Sequence, residues 1–502
     1  MRETETAGEG LPRGAVPPEL LCSPEGKRVH LLGIGGVAMS ALAAMLKQRG
    51  YFVCGSDDQL YPPISDVLAR LGVPIEKGFR PENLDPPPDL VVVGNKATRK
   101  NEEVQAVLRR QIPFVSMPEA IRTFFLAGRH SVVIAGTHGK TTSTAMVAWV
   151  LHQCGLSPSF LIGGHSLDFA TNAQLGAGPH FVIEGDEYDS AFFDKRPKFV
   201  HYEPRSVLLT AVEFDHADIY RDLEQVKDAF RTLVELLPSH GNLVVCRDFP
   251  HAMDVCRGRS RLVTFGENKA ADWQIQGLHD QDGRTHFAIV RAGRRVAEIR
   301  LRLPGMMNAR NAVGALALAE QLGIPVAQAA QALEEFRGIA RRQEVVGEFG
   351  GVLLIDDFAH HPTAVRATLE AIRQRYPGRR LWAVFEPRSN TSRRRVFQAD
   401  YARALALADR VIVGGVLRKA TDVLPEDEMF SPDQLVSDLK SLGLKARAFA
   451  DPEVIALALQ RNVRRGDVVV LLSNGDFGGL RSKLLRAWAP EPVGAAASRS
   501  RP

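Results

Sequence analysis

Short runs of Val, Ile and Leu alternate with stretches of helical periodicity along most of this chain. The apolar run KRVHLLGIGG is followed by the helical VAMSALAAMLKQRG and then by YFVCGSDD, which again has the character of a strand. A strand, a crossover helix and a second strand form a βαβ unit, whose strands lie parallel in one sheet. The pattern therefore predicts an α/β protein built on parallel sheets.

A chain of 502 residues is too long for one hydrophobic core, so we expect several domains. New strand systems begin near residues 129 and 340, where a helical stretch gives way to an apolar run. We predict three folded domains between two flexible tails, with the boundaries 1–25, 26–128, 129–339, 340–488 and 489–502. In the middle domain, alternating apolar and polar residues from about 240 to 303 predict an insertion of antiparallel strands.

The composition restricts the classes of function. No apolar run approaches the roughly 18 residues that span a bilayer, and the first residues, MRETETAGEG, lack the basic start and apolar stretch of a signal peptide. The five cysteines form no CxxC pair, which argues against a structural zinc site. A formal charge of +5 is too small to indicate nucleic-acid binding. We therefore expect a cytoplasmic protein, without a membrane segment, that acts on small molecules.

The segment GTHGKTT lies between an apolar strand, SVVIA, and a helical stretch. In such a turn the glycines let backbone N–H groups approach phosphates, the lysine supplies charge, and the threonine hydroxyl can bind Mg²⁺. The segment is shorter than a full Walker motif, because Ile134 stands where the first glycine belongs. We predict a nucleoside triphosphate site, and the alternative is a loop with an incidental lysine. The predicted contacts are Gly136, Thr137, His138, Gly139, Lys140, Thr141 and Thr142.

Two further segments could complete a metal site beside this loop. Glu184 ends the apolar run HFVIE, and His216 follows the apolar run SVLLTAV with Asp215 beside it. A carboxylate at a strand end can hold Mg²⁺ together with Thr141, and a neighbouring acid can orient a metal-binding imidazole. The alternatives are a solvated acidic loop and a histidine whose hydrogen bonds are structural. We predict Thr141, Glu184 and His216 as metal ligands.

The segment HLLGIGGVAMS has the spacing of a phosphate-binding turn between a strand and a helix. Gly33, Gly35 and Gly36 occupy the turn, and Asp57 ends the next strand. This pattern resembles a dinucleotide fold, in which a helix N-terminus faces a diphosphate. Three interpretations remain open from these residues: a dinucleotide cofactor, the diphosphate of a nucleotide sugar, or tight packing of the strand on the helix.

Several polar residues beyond residue 300 could also reach a nucleotide. Asn308 comes at the start of a predicted helix, where it could cap the helix or contact adenine or phosphate. Arg342, Asp357 and His360 follow in the third domain. Arginine can bring positive charge to a transferring phosphoryl group, although a solvated arginine pair is the ordinary alternative.

Six segments together are similar to the Mur ligase family, the ATP-dependent amide ligases of peptidoglycan synthesis. They are GTHGKTT, EFDHADIY, RRQEVVGE, DDFAHHPTA, EPRSNT and SNGDFGG. The resemblance extends over about residues 27–487. It implies a Rossmann-like N-terminal domain for a UDP-sugar, a central P-loop ATPase domain, and a Rossmann-like C-terminal domain that binds the amine.

The resemblance also implies the reaction and the roles of the predicted residues. UDP-N-acetylmuramate would be activated by ATP as an acyl phosphate and then attacked by the amine of a murein tripeptide, L-Ala-γ-D-Glu-meso-diaminopimelate, with Mg²⁺ bound. The implied roles are Lys140, Glu184, His216 and Arg342 in catalysis, Asn308, Arg342, Asp357 and His360 at ATP, and Gly33, Gly35, Gly36 and Asp57 at the UDP-sugar. We expect a monomer.

The tripeptide is favoured by DEYDSAFFDKRPKFVHY and EPRSNT, and the alternative branch of the family adds L-alanine instead. Arg388, Ser389 and Asn390 follow an apolar strand, and Arg388 could pair with a diaminopimelate carboxylate. Two positions depart from the family pattern: Ala211 stands where Asn is usual, and Met307 where His is usual. We expect weaker nucleotide or metal contacts at both. A P-loop ATPase that does not act on cell-wall precursors is the remaining alternative class.

Overall fold

The computed structural model describes residues 15–60, 64–417 and 425–488. The chain forms two compact units. The first contains the residues up to Arg302 together with Met307–Ile339, and the second contains Leu303–Met306 and the residues from Ala340 on. Among the described residues, no helix is long and apolar enough to cross a membrane.

The first unit begins with a five-stranded parallel sheet in the order β3-β2-β1-β4-β5. Its elements are α1 (Pro18–Cys22), β1 (Arg28–Leu32), α2 (Val37–Gln48), β2 (Phe52–Asp57), α3 (Ile64–Arg70), β3 (Ile75–Lys77), β4 (Leu90–Val93), α4 (Glu102–Arg109), β5 (Phe114–Ser116) and α5 (Met117–Ile121). The chain changes direction across the sheet between β1 and β4, and ligands of open α/β sheets bind at such a switch point.

Helix α1 lies in a segment for which we predict a flexible tail. Its Leu20 is fully buried, and the hydroxyl of Tyr51 donates to the Leu20 carbonyl. These contacts attach residues 15–25 to the first sheet, so the expected tail is wrong for them. A five-residue helix is too short to show a helical period in the sequence. Residues 1–14 and 489–502, the rest of the predicted tails, lie outside the described residues.

A ten-stranded sheet follows in the same unit, in the order β17-β16-β15-β14-β13-β12-β6-β9-β7-β8. Its elements, with the separate hairpin β10–β11, are β6 (His130–Ala135), α6 (Lys140–Gln153), β7 (Ser159–Leu161), β8 (Ala173–Gln174), β9 (His180–Gly185), β10 (Asp189–Ala191), β11 (Asp194–Pro197), β12 (Ser206–Leu209), α7 (Leu223–Leu236), β13 (Asn242–Cys246), α8 (Pro250–Asp254), β14 (Val263–Gly266), β15 (Trp273–Gln281), β16 (Arg284–Arg291), β17 (Arg294–Leu301), α9 (Gly305–Gln321) and α10 (Val326–Glu335). Strands β6, β9 and β12 are parallel neighbours, so their carboxyl ends meet at one edge.

The predicted antiparallel strands are present, but they begin later than expected and continue the same sheet. Strands β15, β16 and β17 pair antiparallel, whereas β13 and β14 are parallel to their neighbours. The antiparallel part therefore starts at Trp273 and not near residue 240. The central strands β6 and β12 are buried on both faces, which explains their continuous apolar runs.

The second unit has a six-stranded sheet in the order β18-β19-β23-β20-β21-β22, parallel except for β18. Its elements are β18 (Glu344–Phe349), β19 (Val352–Asp357), α11 (Pro362–Arg375), β20 (Leu381–Phe385), α12 (Gln398–Leu405), β21 (Arg410–Gly414), α13 (Pro432–Ser441), β22 (Lys445–Phe449), α14 (Pro452–Asn462), β23 (Val468–Leu472) and α15 (Leu480–Trp488). The three mostly parallel sheets confirm the predicted α/β class.

Candidate active site

The loop between β6 and α6 is formed by two glycines that no other residue could replace without a shift. Gly136 and Gly139 have φ angles of +131° and +81°, which L side chains rarely adopt. A Cβ at Gly136 would come within 2.3 Å of the Thr210 hydroxyl, and one at Gly139 within 2.5 Å of Asn311 Oδ1. The backbone of the loop therefore lies close to Thr210, which follows the neighbouring strand β12, and the loop leads directly into the N-terminus of α6.

Strand β12 and its following loop fix the position of this turn. Thr210 donates to the carbonyls of Ala135 and His138, and the Thr137 hydroxyl donates to the carbonyl of Glu213 at 3.2 Å. The His138 ring lies 2.7 Å from the Glu213 carboxylate. These contacts show a bracing role for Thr210 and Glu213, which we did not predict because sequence does not show that β12 lies beside β6.

The first helical residues of α6 meet the carboxyl end of β9. The Thr141 hydroxyl donates to Glu184 Oε1 at 2.9 Å, and the Gly163 N–H donates to Glu184 Oε2 at 2.8 Å. A Cβ at Gly163 would lie 2.4 Å from Glu184 Oε2, so this approach requires glycine. The structure thus brings together Thr141 and Glu184, two of the three predicted metal ligands.

Lys140 and the third predicted ligand, His216, both contact a residue that we had not assigned. Glu187 is 2% exposed, and its Oε2 lies 2.9 Å from Lys140 Nζ. Its Oε1 lies 3.2 Å from His216 Nε2. His216 has a φ angle of +53°, and its N–H donates to Asp215 Oδ1 at 2.7 Å. The sequence showed only that Glu187 belongs to an acidic run.

The buried charges of Lys140, Glu187 and His216 stabilise one another. Burial would raise the pKa of Glu187, but the charge of Lys140 and the His216 hydrogen bond outweigh it and lower the pKa to about 2. Burial would lower the pKa of His216, but Glu187 raises it to about 9. Burial would lower the pKa of Lys140, but the charges of Glu187, Asp186 and Glu184 together outweigh burial and raise it. The three groups therefore favour one another's charged forms.

Helix α9 carries two buried asparagines, Asn308 and Asn311, and Asn311 lies against the loop between β6 and α6 at Gly139. Helix α9 begins at Gly305, so Asn308 lies in its first turn and does not cap it. Asn308 and Asn311 are each 4% exposed, and Asn311 Nδ2 lies 3.5 Å from Asn308 Oδ1. The alternative that Asn308 caps this helix is therefore wrong, because Met306 and Met307 already lie in the helix.

The N-terminal glycine turn lies at the switch point of the first sheet. Gly33 has a φ angle of +84°, and Gly36 is the N-cap of α2. The Gly35 N–H donates to Asp57 Oδ2 at 2.8 Å, and the Gln59 N–H donates to Asp57 Oδ1 at 3.2 Å. The Asp57 carboxylate thus holds the glycine turn through the backbone amide of Gly35.

In the second unit, Asp357 holds a turn and Arg342 stacks on an aromatic ring. Asp357 is 3% exposed and accepts hydrogen bonds from the Gln343 and Ala359 N–H groups at 2.8 and 2.6 Å. Burial raises the pKa of Asp357 to about 6. The Arg342 guanidinium lies 4.6 Å from the centre of the Phe358 ring. His360 Nδ1 lies 3.1 Å from the Phe358 carbonyl.

Arg388, Ser389 and Asn390 follow β20, where a second loop arrives from β23. Arg388 Nη1 lies 3.6 Å from Glu386 Oε1, and a Cβ at Gly475 would lie 2.1 Å from Arg388 Nε. The Ser473 hydroxyl donates to Glu386. The Ser389 hydroxyl donates to Ser392 Oγ, and Asn390 Oδ1 accepts from Arg393. EPRSNT and SNGDFGG therefore meet at the carboxyl edge of the second unit's sheet. Glu386 and Ser473 begin these two segments, but we had assigned neither of them a role.

The loop at β6 has the features of a phosphate and magnesium site. Its backbone turns at two required glycines, it precedes a helix of 14 residues, and it carries a buried lysine. Thr141 and Glu184 supply a hydroxyl and a carboxylate oxygen 2.9 Å apart, which are ligand types that Mg²⁺ prefers. The residues present therefore fit a nucleoside phosphate with Mg²⁺.

Family models and known proteins are similar to this chain over nearly its whole length. Three models match it in order: the Mur ligase family, catalytic domain, at residues 28–129, the Mur ligase middle domain at 134–319, and the Mur ligase, glutamate ligase domain, at 341–475. The UDP-N-acetylmuramate–L-alanyl-γ-D-glutamyl-meso-2,6-diaminoheptandioate ligase of Escherichia coli K12 is 39% identical over 92% of this chain and 98% of its own length.

Other similar proteins include both kinds of ligase. The UDP-N-acetylmuramate–L-alanine ligase of Desulfatibacillum aliphaticivorans is 34% identical over 89% of this chain and 96% of its own. The crystal structure of a murein peptide ligase from Psychrobacter arcticus has a TM-score of 0.70 and 34% identity, covering 92% of this chain and 99% of that one. That of a UDP-N-acetylmuramate-alanine ligase from Thermotoga maritima has a TM-score of 0.76 and 26% identity, with the same coverage.

Proposed function

This chain belongs to the Mur ligase family, and we propose that it joins UDP-N-acetylmuramate to the tripeptide L-Ala-γ-D-Glu-meso-diaminopimelate with hydrolysis of ATP to ADP and phosphate. The observation that carries the proposal is a sequence identity of 39%, over 92% of this chain, to a ligase named for these two substrates. The relatives named for L-alanine are 34% identical over similar lengths. The product belongs to the recycling of peptidoglycan, because its peptide is already assembled when it is joined.

The reaction has two steps. The first brings a carboxylate and a triphosphate together, and in the second negative charge develops on the acyl oxygen and on the departing phosphate. A carboxylate oxygen of the muramic acid attacks the γ-phosphorus of ATP, the bond to the β-phosphate oxygen breaks, and an acyl phosphate and ADP form. The tripeptide amine then attacks the acyl carbon, phosphate leaves, and the amine loses a proton. Cations fixed in advance lower the cost of both steps.

Lys140 is the residue best placed to bind the β- and γ-phosphates, because it begins α6 directly after the glycine turn. It is 11% exposed and stands at the helix N-terminus, whose dipole also favours an anion. Thr141 and Glu184 would hold Mg²⁺, with His216 at a second metal position. When bound, Mg²⁺ supplies positive charge to the phosphate oxygens.

The remaining assignments follow the family resemblance. We propose that the turn of Gly33, Gly35 and Gly36 receives the diphosphate of the UDP-sugar, with Asp57 holding the turn. Asn308, Arg342, Asp357 and His360 keep their predicted contacts with ATP. Arg388, with Ser389 and Asn390 beside it, would receive the diaminopimelate end of the tripeptide. We propose that the enzyme acts as a monomer in the cytoplasm.

The test is ADP release by the purified protein with Mg-ATP and UDP-N-acetylmuramate, comparing the tripeptide with L-alanine as the amine. We expect turnover with the tripeptide and none without UDP-N-acetylmuramate. The second candidate, an L-alanine ligase, is favoured by the TM-score of 0.76 to such an enzyme from Thermotoga maritima. Turnover with L-alanine alone would establish that candidate, and ATP hydrolysis independent of both substrates would contradict the ligase function.

A further inference from the structure

The carboxylate of Glu187 lies against Lys140, the positively charged side chain of the phosphate-binding loop. Both of its oxygens contact the Lys140 ammonium, at 2.9 and 3.2 Å. The pair is buried, with Lys140 11% and Glu187 2% exposed. Lys140 thus has an anionic partner within the protein itself.

Glu187 is held in this position by its neighbours. The His216 ring contacts its Oε1 at 3.2 Å, and the Tyr220 hydroxyl donates to its backbone carbonyl. Strand β9 ends two residues earlier, at Gly185, so the backbone that carries Glu187 continues directly from the sheet. The contacts with Lys140 and His216 oppose a displacement of the carboxylate when a phosphate arrives.

A phosphate on Lys140 would therefore come close to a buried carboxylate. Two negative charges repel strongly where water is excluded, unless further positive charge enters with the phosphate. A divalent cation held by the neighbouring Thr141 and Glu184 would supply that charge. A phosphate without the cation would meet the full repulsion.

We propose that Glu187 makes nucleotide binding dependent on Mg²⁺: it holds Lys140 and His216 in place and repels a phosphate that arrives without the cation. This inference depends on the proposed function, because it places the phosphates of ATP at Lys140. Glu187 is then a positioning residue, which acts on the nucleotide through Lys140. Nothing in the sequence separates Glu187 from Asp186 and Asp189, which belong to the same acidic run.

The neighbouring acid Asp189 supplies a matched control. Its carboxylate lies 2.9 Å from Lys195, whose side chain is 70% exposed, and Lys195 belongs to the hairpin strand β11. The change Asp189→Asn removes the same charge from the same segment but leaves Lys140 with Glu187. It therefore measures any general effect of charge on nucleotide affinity.

The experiment is isothermal titration calorimetry with AMP-PNP, an ATP analogue that is not hydrolysed, in EDTA and in excess Mg²⁺. For the unchanged protein we expect binding that is strong with Mg²⁺ and weak in EDTA. For Glu187→Gln we expect the affinity in EDTA to rise by about tenfold or more, as expected for removing a charge several ångströms away at a protein-like dielectric constant. The affinity with Mg²⁺ should change much less, and Asp189→Asn should change neither.

A purely structural role for Glu187 gives a different result. Loss of a structural contact would weaken binding in both buffers, so an unchanged or lower affinity of Glu187→Gln in EDTA overturns the inference. Glu187→Asp keeps the charge and should keep the dependence on Mg²⁺. If Glu187→Gln does not fold, Glu187→Ala carries the same expectation. If the unchanged protein does not bind AMP-PNP even with Mg²⁺, the proposed function fails together with this inference.

Discussion

Replacing Arg388 tests whether the second unit binds the side-chain carboxylate of the diaminopimelate residue. The Arg388 side chain is about one-third exposed and lies flat against Gly475, where a Cβ would come within 2.1 Å of Nε. The Glu386 carboxylate lies 3.6 Å away, and Asn474 Oδ1 is buried with no hydrogen-bond donor among the described residues. A guanidinium beside a carboxylate suits a ligand with a carboxylate and an ammonium, and the side chain of diaminopimelate ends in both.

The size of the expected effect follows from the exposure of the arginine. A hydrogen bond to a charged group contributes about 1.5–3 kcal/mol, and Arg pairs with carboxylates in a two-pronged geometry. Because Arg388 is partly exposed to water, we take the lower end, which corresponds to about a tenfold loss in kcat/KM. The loss should lie mainly in KM for the tripeptide, since Arg388 is placed to bind the substrate far from the reacting amine.

The assay compares two tripeptides that differ in one carboxylate. In L-Ala-γ-D-Glu-L-Lys the terminal carboxylate is missing, while the ammonium is retained. Arg388→Gln should raise the KM for the diaminopimelate tripeptide about tenfold and leave the inhibition constant of the lysine tripeptide unchanged. The control is Arg395→Gln, an exposed arginine of the same segment, which should change neither value. Equal losses for both tripeptides, or none for either, would refute the pairing of Arg388 with this carboxylate.

Three further predictions concern the nucleotide site and the first sheet. Gly139→Ala should weaken AMP-PNP binding at least about tenfold, because its Cβ would press on Asn311 and the loop must shift. Gly155→Ala, with φ +79° and no neighbour within 4 Å, is the control at the other end of α6, and equal losses would rule out the contact as the cause. The pKa of His216, raised to about 9, gives stability that is complete below its unfolded value of 6.5 and is lost as the pH rises through 9. The free energy of unfolding, measured between pH 6 and 10, should therefore fall by up to about 3 kcal/mol more in the unchanged protein than in His216→Gln, and parallel curves would contradict this. Glu103→Leu should lower the free energy of unfolding by about 3 kcal/mol or more, because Glu103 is fully buried and contacts His30, Ser56 and Asn83. The thermal midpoint should fall accordingly. A midpoint within a degree of the unchanged protein would show that the buried pair contributes nothing.

The fold class and the phosphate loop could be predicted because their signals are local. A βαβ unit needs only consecutive residues, and GTHGKTT carries its glycines, lysine and threonine in one turn. The pairing of Thr141 with Glu184 was also predictable, since Thr141 follows β6, Glu184 lies at the carboxyl end of β9, and the two strands are parallel neighbours. The same reasoning failed at α1, because its Leu20 is buried in a core formed by residues far along the chain and its Leu20 carbonyl accepts a hydrogen bond from Tyr51.

The partners of the site residues could not be predicted, because they depend on the order of strands. Strands β6, β9 and β12 are adjacent, and this brings Glu187 to Lys140 and Glu213 to His138. In sequence these acids lie 47 and 75 residues from their partners, within runs that contain other acids. Glu187 precedes β10, whereas Asp189 begins it and pairs with the exposed Lys195 of the neighbouring hairpin strand.

The position of Ala211 shows why a departure from the family pattern need not weaken the loop. We expected a loss there, because a side-chain amide is usual at this position. In the structure the Ala211 carbonyl accepts the Thr137 N–H at 2.8 Å, and its N–H lies 2.7 Å from where a Cβ of Gly136 would stand. Both contacts involve the backbone, which every residue supplies. The shape of the phosphate loop is therefore independent of the side chain at 211, and any cost of the alanine has to fall on the bound nucleotide or metal. Ala211 is 1% exposed, so Ala211→Asn should lower the thermal midpoint simply by placing a larger polar side chain in a buried position. The test of the cost at the nucleotide or metal is therefore the affinity for AMP-PNP with Mg²⁺, which should change in Ala211→Asn, and an unchanged affinity would contradict such a cost.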